Sequence, residues 1–481
     1  MPPPSSSGAP DGAPLLPSGS ALTGWAVVWP GGRLAGAVVV VTAIVVLETR
    51  VARAGGVGPG RYRLLALILL WWVLTGLATW LLVNAAPRRL ALAVIFAGLL
   101  ALQVAALTRG TQISDDMYRY AWDGRVQAAG IDPYRYPPVD PQLHRLRAAW
   151  LWPDGATCQR DRLHSPTCTR VNRPGVRTIY PPVAEAWFTL LVALPGGFRE
   201  HHLQLWTDVL ALGLVVLLVR LLPRYGVDPR WAALLALSPL CGLDLASDAH
   251  VDVLAVVLAV SGLHLLRRHR PGWSGALLGA AVAVKLYPIL LFPAALRRRP
   301  AAVAGAAAFV VAASYVPHVL VVGPRVLGYL PGYLHEEHYA SGGRFLLLSG
   351  LGVPTWAAGI LAAAGLAAVA MVVVRADPVR LPPERAAVWL VGAAFLLTSP
   401  VQPWYAVLLV GLGLLAGRPE WTAVAVAAYP TYFTALLAHA PARLVGSLSY
   451  GAAGAFVLVT GLLRSARRGD RFANRKTAAA P

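Results

Sequence analysis

"LALAVIFAGLLALQVAALTRGTQISDDMYRYAWD" (Leu90–Asp123) joins two kinds of chain without a pause. Residues 90–107 hold one polar side chain, Gln103. That is membrane-helix composition, because a bilayer core takes about 20 apolar residues per helix. Immediately beyond it stand two adjacent carboxylates, Asp115 and Asp116, then Tyr118, Tyr120 and Trp122.

Apolar stretches like 90–107 recur along the chain. Candidate spans are 34–49, 64–83, 90–107, 203–222, 231–246, 251–266, 301–322, 353–374, 386–398, 404–416, 421–437 and 444–463. Of 481 residues 57% are hydrophobic and 13% charged, against about 25% charged in a soluble domain. No soluble core absorbs so many long apolar runs. The expected fold is all-α, a polytopic membrane protein of about twelve to fourteen transmembrane helices. A long first extracytoplasmic loop, 108–202, would carry surface helices, among them the apolar 180–197 stretch.

The net charge of +20 does not indicate nucleic acid. The arginines gather at segment ends (Arg267, Arg268, Arg270; Arg297 to Arg299; Arg464, Arg467, Arg468), as the positive-inside rule requires. Placing those turns inside puts 108–202, 323–352 and 399–403 outside. The 50–63 turn, with Arg50, Arg53, Arg61 and Arg63, does not fit that parity. The 272–296 segment starts and ends at basic turns, so it is expected to enter and return as two half-helices broken near Lys285–Pro288. Residues 1–20, rich in Pro, Ser and Gly, read as a disordered tail, 21–463 as one membrane domain, and 464–481 as a basic cytoplasmic tail.

The polar residues that interrupt apolar sequence fall on the outer side. Ser114 suits a helix N-cap, with Asp115 and Asp116 in the first turn. These aspartates can serve as a helix start and nothing more, but their aromatic surroundings (Tyr118, Tyr120, Trp122, Tyr134, Tyr136) suit stacking on sugar rings. Arg119 and Asp123 are spaced to pair. Two Tyr-Pro-Pro units, 136–138 and 180–182, stiffen the loop, and Glu185 follows the second. Cys158 and Cys168 would pair as a disulfide in an oxidising compartment. "LDLASDAHVD" (243–252) offers Asp244, Asp248, His250 and Asp252, either to a metal or to ordinary polar packing. Lys285 lies in mid-span, where a cation is costly and marks a site. Its expected partner is an anionic lipid phosphate, with Tyr287 alongside. Arg344, Gln402, Trp404 and Tyr405 lie at other outer helix ends.

An Asp just after an early membrane helix, on a long outer loop, resembles the GT-C superfamily of polyprenyl-phosphate-sugar-dependent glycosyltransferases. Asp116, Tyr118, Tyr120, Gly124, Gly130, Pro133 and Tyr134, with "VKLYP" and "PWY", resemble actinobacterial α-mannosyltransferases and glycosyltransferase family 87. The resemblance implies transfer of a hexose, mannose in those relatives, from a polyprenyl-phosphate donor to a cell-envelope glycan or glycolipid. It implies inversion, no cofactor, and an outer-loop Asp as general base: Asp116, with Asp115 as neighbour. Lys285, Tyr287, Arg119 and Arg344 would meet the donor phosphate and lipid. Tyr118, Tyr120, Tyr134, Tyr180, Glu185, His250, Gln402, Trp404 and Tyr405 would meet sugar and acceptor. The expected place is the plasma membrane, with the active site on its extracytoplasmic face. A transporter or flippase of a lipid-linked sugar would use the broken 272–296 segment equally well, and a non-catalytic envelope subunit is a third reading. A rigid loop with paired aspartates favours the enzyme.

Overall fold

The computed structural model describes residues 30–53, 61–161, 167–196, 198–337, 339, 344–400, 402–436 and 441–477, with backbone alone at 30–31, 159–161 and 467–477. The expected tail at 1–20 lies outside them. No strand occurs among the described residues. The chain is an all-α polytopic membrane protein.

The first half holds α1 (Pro30–Arg53), α2 (Arg61–Val83), α3 (Arg88–Ala106), α4 (Asp116–Ala128), α5 (Gly155–Asp161), α6 (Pro182–Ala193), α7 (Glu200–Leu221) and α8 (Ala233–Ala236). The second holds α9 (Asp252–Arg267), α10 (Pro271–Val282), α11 (Phe292–Ala295), α12 (Pro300–Val322), α13 (Leu330–Glu336), α14 (Leu346–Gly350), α15 (Thr355–Arg375), α16 (Pro383–Thr398), α17 (Ala406–Leu415), α18 (Thr422–Ala435) and α19 (Ala442–Thr477). Proline opens α10, α12 and α16 just after basic turns, where its missing N–H costs nothing.

Among the described residues, seven helices are long and apolar enough to cross a membrane unaided. An eighth forms if Leu240–Ser247 and Asp252–Arg267, bent by 118° to one another, count as one span. Other expected spans are shorter helices, and packing accounts for them. All ten residues of α17 are buried, and protein neighbours rather than lipid surround it. The 231–246 stretch is not one helix: α8 gives way to a π-helical run, Leu240–Ser247. The 272–296 segment does break, with α10 ending at Val282 and a 3-10 turn following from Tyr287 to Leu291.

One apolar core runs through α1–α3, α7–α11 and α16–α19. The polar region between α3 and α7 has cores of its own. Met117, Trp122, Leu143, Leu151 and Val171 form one, and Tyr120, Tyr180, Phe188 and Val251 another. The second ties α4 and α6 to the start of α9, so the loop region is fixed to the bundle. At Gly124 a Cβ would run into the Phe188 carbonyl, which is why α4 and α6 can lie so close. Gly328, with φ +53°, lets the chain turn so that Tyr329 N–H donates to Thr178 O at 3.2 Å, bringing α13 against the loop region.

Candidate active site

A cavity of about 880 Å³ lies where the loop region meets the bundle, with walls drawn from Arg61 to Leu436. Asp115, Asp116, Arg119, Tyr180, Lys285, Tyr287, Arg344, Gln402, Trp404 and Tyr405 all line it. Ten residues singled out in the sequence, from five stretches of chain, thus line one space.

Asp116 opens α4. Its backbone N–H donates to Ser114 Oγ at 3.3 Å, and Asn172 Nδ2 donates to Asp116 Oδ1 at 2.7 Å and to Asp115 Oδ1 at 3.0 Å. One amide therefore orients both carboxylates. Asp116 keeps 17% of its side chain exposed, and its second oxygen lies 3.8 Å from His250 Nδ1. Burial raises its pKa above the ordinary carboxylate value, and Asp115 adds to the rise. Lys285, Arg173 and the Asn172 hydrogen bond pull it back down. The loop before it is pinned by Asp248, which accepts from the backbone N–H of Gln112 at 2.5 Å and of Ile113 at 3.2 Å.

Lys285 lines the same cavity from the break after α10. Its ammonium is 3.4 Å from Asp252 Oδ2, with side-chain exposures of 11% and 0%. The rings of Tyr180 and Tyr405 flank it at 5.2 and 5.1 Å. Tyr287 OH donates to Asp252 Oδ1 at 3.1 Å. The partner that sequence reasoning sought for Lys285 in a lipid phosphate is, within the chain, Asp252. An ammonium has three N–H donors, and one carboxylate at 3.4 Å does not occupy them all.

The remaining residues divide between the cavity wall and the layer behind it. Arg119 reaches the wall, but its Nε is 2.9 Å from both oxygens of Asp123, and Nη2 donates to Val176 O at 3.1 Å. Arg344 pairs with Glu337, which also accepts from Gln402 Nε2 at 2.7 Å. Trp404 stacks on His250 at 3.9 Å. Tyr118, Tyr120, Tyr134, Glu185 and His250 do not line the cavity. Tyr118 OH donates to Glu200 at 2.7 Å, and Tyr134 OH to Tyr180 O at 2.6 Å. Tyr120 stacks on Phe188 at 4.4 Å, and Glu185 accepts from Thr178 at 2.6 Å. These aromatics are amphipathic enough to make the loop region's core, and there they hold the wall in place. Cys158 and Cys168 form a disulfide, Cα atoms 5.5 Å apart, in the same region.

The 243–252 acids disperse. Asp244 accepts from Tyr429, Asp248 holds backbone, and Asp252 faces Lys285. Among the described residues no three His, Cys, Asp or Glu converge as metal ligands.

Sequence reasoning missed Asn172, Arg173 and Tyr333. Arg173 Nη2 is 2.6 Å from Glu336, and Tyr333 OH is 3.1 Å from Tyr405 OH. No motif marks them. Of the three, only Arg173 carries a backbone signal, a φ of +44°; Ala249 and Ser399 near the site share it at +51° and +43°, as do Cys168, His269 and Arg299 away from it. Non-glycine residues take that region at a cost and collect at functional sites.

Neither the curated proteins nor the solved structures hold a match to this chain. The model of glycosyltransferase family 87 matches residues 178–400, a stretch that takes in Tyr180, Asp252, Lys285, Tyr287 and Arg344. Asp115, Asp116 and Gln402 lie outside it. Over residues 178–400, a stretch that includes Lys285, the chain is similar to glycosyltransferase family 87, and that match together with helices long and apolar enough to cross a membrane supports a membrane glycosyltransferase.

Proposed function

We propose that this glycosyltransferase moves a hexose from a polyprenyl-phosphate donor to a hydroxyl of a cell-envelope glycan or glycolipid, with Asp116 as general base. The observation that carries the reading is that Asp116 and Lys285, far apart in the chain, line one cavity beside membrane helices and Lys285 acts electrostatically on Asp116. The acceptor oxygen attacks the anomeric carbon and its proton passes to Asp116. The bond from that carbon to the phosphate oxygen breaks, and the departing phosphate gains the second negative charge. A single displacement inverts the anomeric centre.

Each wall suits its part. Burial makes Asp116 more basic than an exposed carboxylate, and a positioned base contributes ~10²–10⁴-fold. Lys285 supplies positive charge to the leaving phosphate in a site that excludes much water. Asp252 and Tyr287 fix the ammonium, and Tyr180 and Tyr405 restrict it to the cavity side. Tyr180, Trp404 and Tyr405 offer ring faces to sugar. Mannose as the donor sugar follows from the likeness to α-mannosyltransferases.

The reading places the protein in the plasma membrane with the cavity on the extracytoplasmic side. The disulfide lies at the cavity end, and the basic turns at Arg267, Arg297 and Arg385 lie at the other.

The test is transfer in membranes holding the intact chain, Asp116→Asn or Asp115→Asn, given labelled polyprenyl-phosphate mannose or glucose. The proposal expects transfer by the parent and by Asp115→Asn, and loss in Asp116→Asn at equal protein level. Full transfer by Asp116→Asn removes the base assignment. A parent silent with every donor removes the reaction and returns the flippase reading.

A further inference from the structure

A second cavity, of about 400 Å³, lies at the other end of the bundle. It is built by the last turn of α9, the end of α11 and the start of α16. Asp252 opens α9 at the active site and Arg267 closes it at this cavity, a separation of about 22 Å at 1.5 Å per residue. Glu384 and Gln402 bracket α16 in the same way.

Arg267, Arg297, Arg298 and Arg385 line this space, with Glu384 the one carboxylate. Arg267 is paired with Glu384 at 3.1 Å and lies over the Tyr225 ring at 4.5 Å. Arg297 spends Nε on Ala294 O at 3.2 Å and Nη1 on Ala376 O at 3.4 Å. Its Nη2 is buried with no hydrogen-bond partner among the described residues. A guanidinium tethered through two nitrogens, with the third buried and unanswered, is an arrangement that lacks an anion. Among the lining residues one carboxylate stands against four guanidiniums, and even with Asp377 acting on Arg297 from just outside the lining the space stays positive.

The rim says what the anion is attached to. Val379 stands 77% exposed at the cavity mouth, and the outward face of the adjoining α15 shows Val372 at 55% and Val374 at 54%. Apolar side chains exposed beside a basic pocket, at the level where helices end, match a molecule with a charged head and an apolar tail. We propose that this cavity binds the phosphate headgroup of an anionic phospholipid, with its acyl chains along α15. Basic pockets between helix ends are suited to such headgroups. The site is independent of the glycosyl-transfer chemistry and holds whether or not Asp116 is the base.

The experiment uses the purified full chain in zwitterionic detergent, titrated with fluorescent phosphatidylglycerol and, separately, phosphatidylcholine. Three proteins are compared: the parent, Arg298→Gln/Arg385→Gln, and Glu384→Gln. The parent should prefer the anionic lipid. The double variant should bind it roughly thirtyfold more weakly, as two surface cations are worth. Glu384→Gln, which removes the one opposing charge, should bind at least as tightly as the parent. An equal affinity for both lipids, or no loss in the double variant of parental thermal stability, overturns the site. Inorganic phosphate is the remaining arm. If it binds the lipid-free protein and displaces the anionic lipid at concentrations comparable to the lipid's own, the cavity is a free-phosphate site and the lipid assignment falls.

Discussion

Nine of the thirteen residues of α4 are buried, among them Arg119, Asp123 and three aromatic rings. Of the twenty-three residues of α12, nearly all apolar, only Val303 and Ala307 are buried. In water those compositions would trade places. A lipid-facing helix needs no partner for its apolar side chains, and Phe309 and Leu320 stand 72% and 82% exposed. The polar helix is the one that must be solvated by protein, and it is, by Asn172, by Thr178–Glu185 contacts behind it and by the Arg119–Asp123 pair within it. Burial marks the site here, and hydrophobicity marks the solvent.

If that contrast is right, changes in α4 should be costly to activity or fold and changes in α12 should not. The largest effect is expected from Asp116→Asn, a fall in transfer of ~10²–10⁴-fold measured with the labelled donor. Stability should move the other way. A carboxylate whose folded pKa is raised holds more protons folded than unfolded, so its contribution worsens as pH rises through that interval. Asp116→Asn should therefore melt no lower than the parent at neutral pH, and a much lower melting point would make Asp116 a structural residue.

Next comes Gly124→Ala, whose Cβ meets the Phe188 backbone. Overpacking of that kind costs about 1–3 kcal/mol, read as lost thermal stability together with lost transfer. Gly305→Ala in α12 is its control, since nothing lies within 4 Å of the new Cβ. It should be neutral or stabilising by up to about 1 kcal/mol, and a loss as large as at Gly124 would end the comparison between the two helices.

A pH profile sharpens the role of Lys285. If Asp116 is the base proposed above, transfer should fail on the acid side at a pH above the usual carboxylate range, since the proposed base acts unprotonated. Lys285 lowers that pKa, so Lys285→Met should shift the acid limb of kcat/KM upward as well as slow the reaction. An unmoved limb would separate Lys285 from Asp116 electrostatically. The smallest effect is expected from Phe309→Leu on the outer face of α12, within about 0.5 kcal/mol.

The spans and the loop that carries Asp116 were legible because both are local. A run of apolar residues and an Asp-Asp pair beside it can be seen without knowing what lies opposite. Lys285 was legible for the same reason, as a cation in apolar sequence. What faced it was not. Asp252 sat in a cluster that also suits a metal, and only the bend between Leu240–Ser247 and α9 assigns each acid to a different partner. Tyr118, Tyr120 and Tyr134 carry the right chemistry for sugar, and the same chemistry makes a good half-polar core. Composition does not separate the two uses. Asn172 and Arg173 are ordinary loop residues until the chain closes back on α4.

The cavity's long reach along the chain bears on biosynthesis. Asp116 leaves the ribosome early, yet its orienting amide comes fifty-six residues later, Lys285 later still, and Gln402 and Tyr405 only in the last fifth of the chain. Contacts so distant in sequence form late and slowly. The nascent protein therefore has no complete cavity until almost every helix has been inserted. A chain stalled part-way has the carboxylates of the cavity without the residues that close it, so the cavity is completed only by assembly.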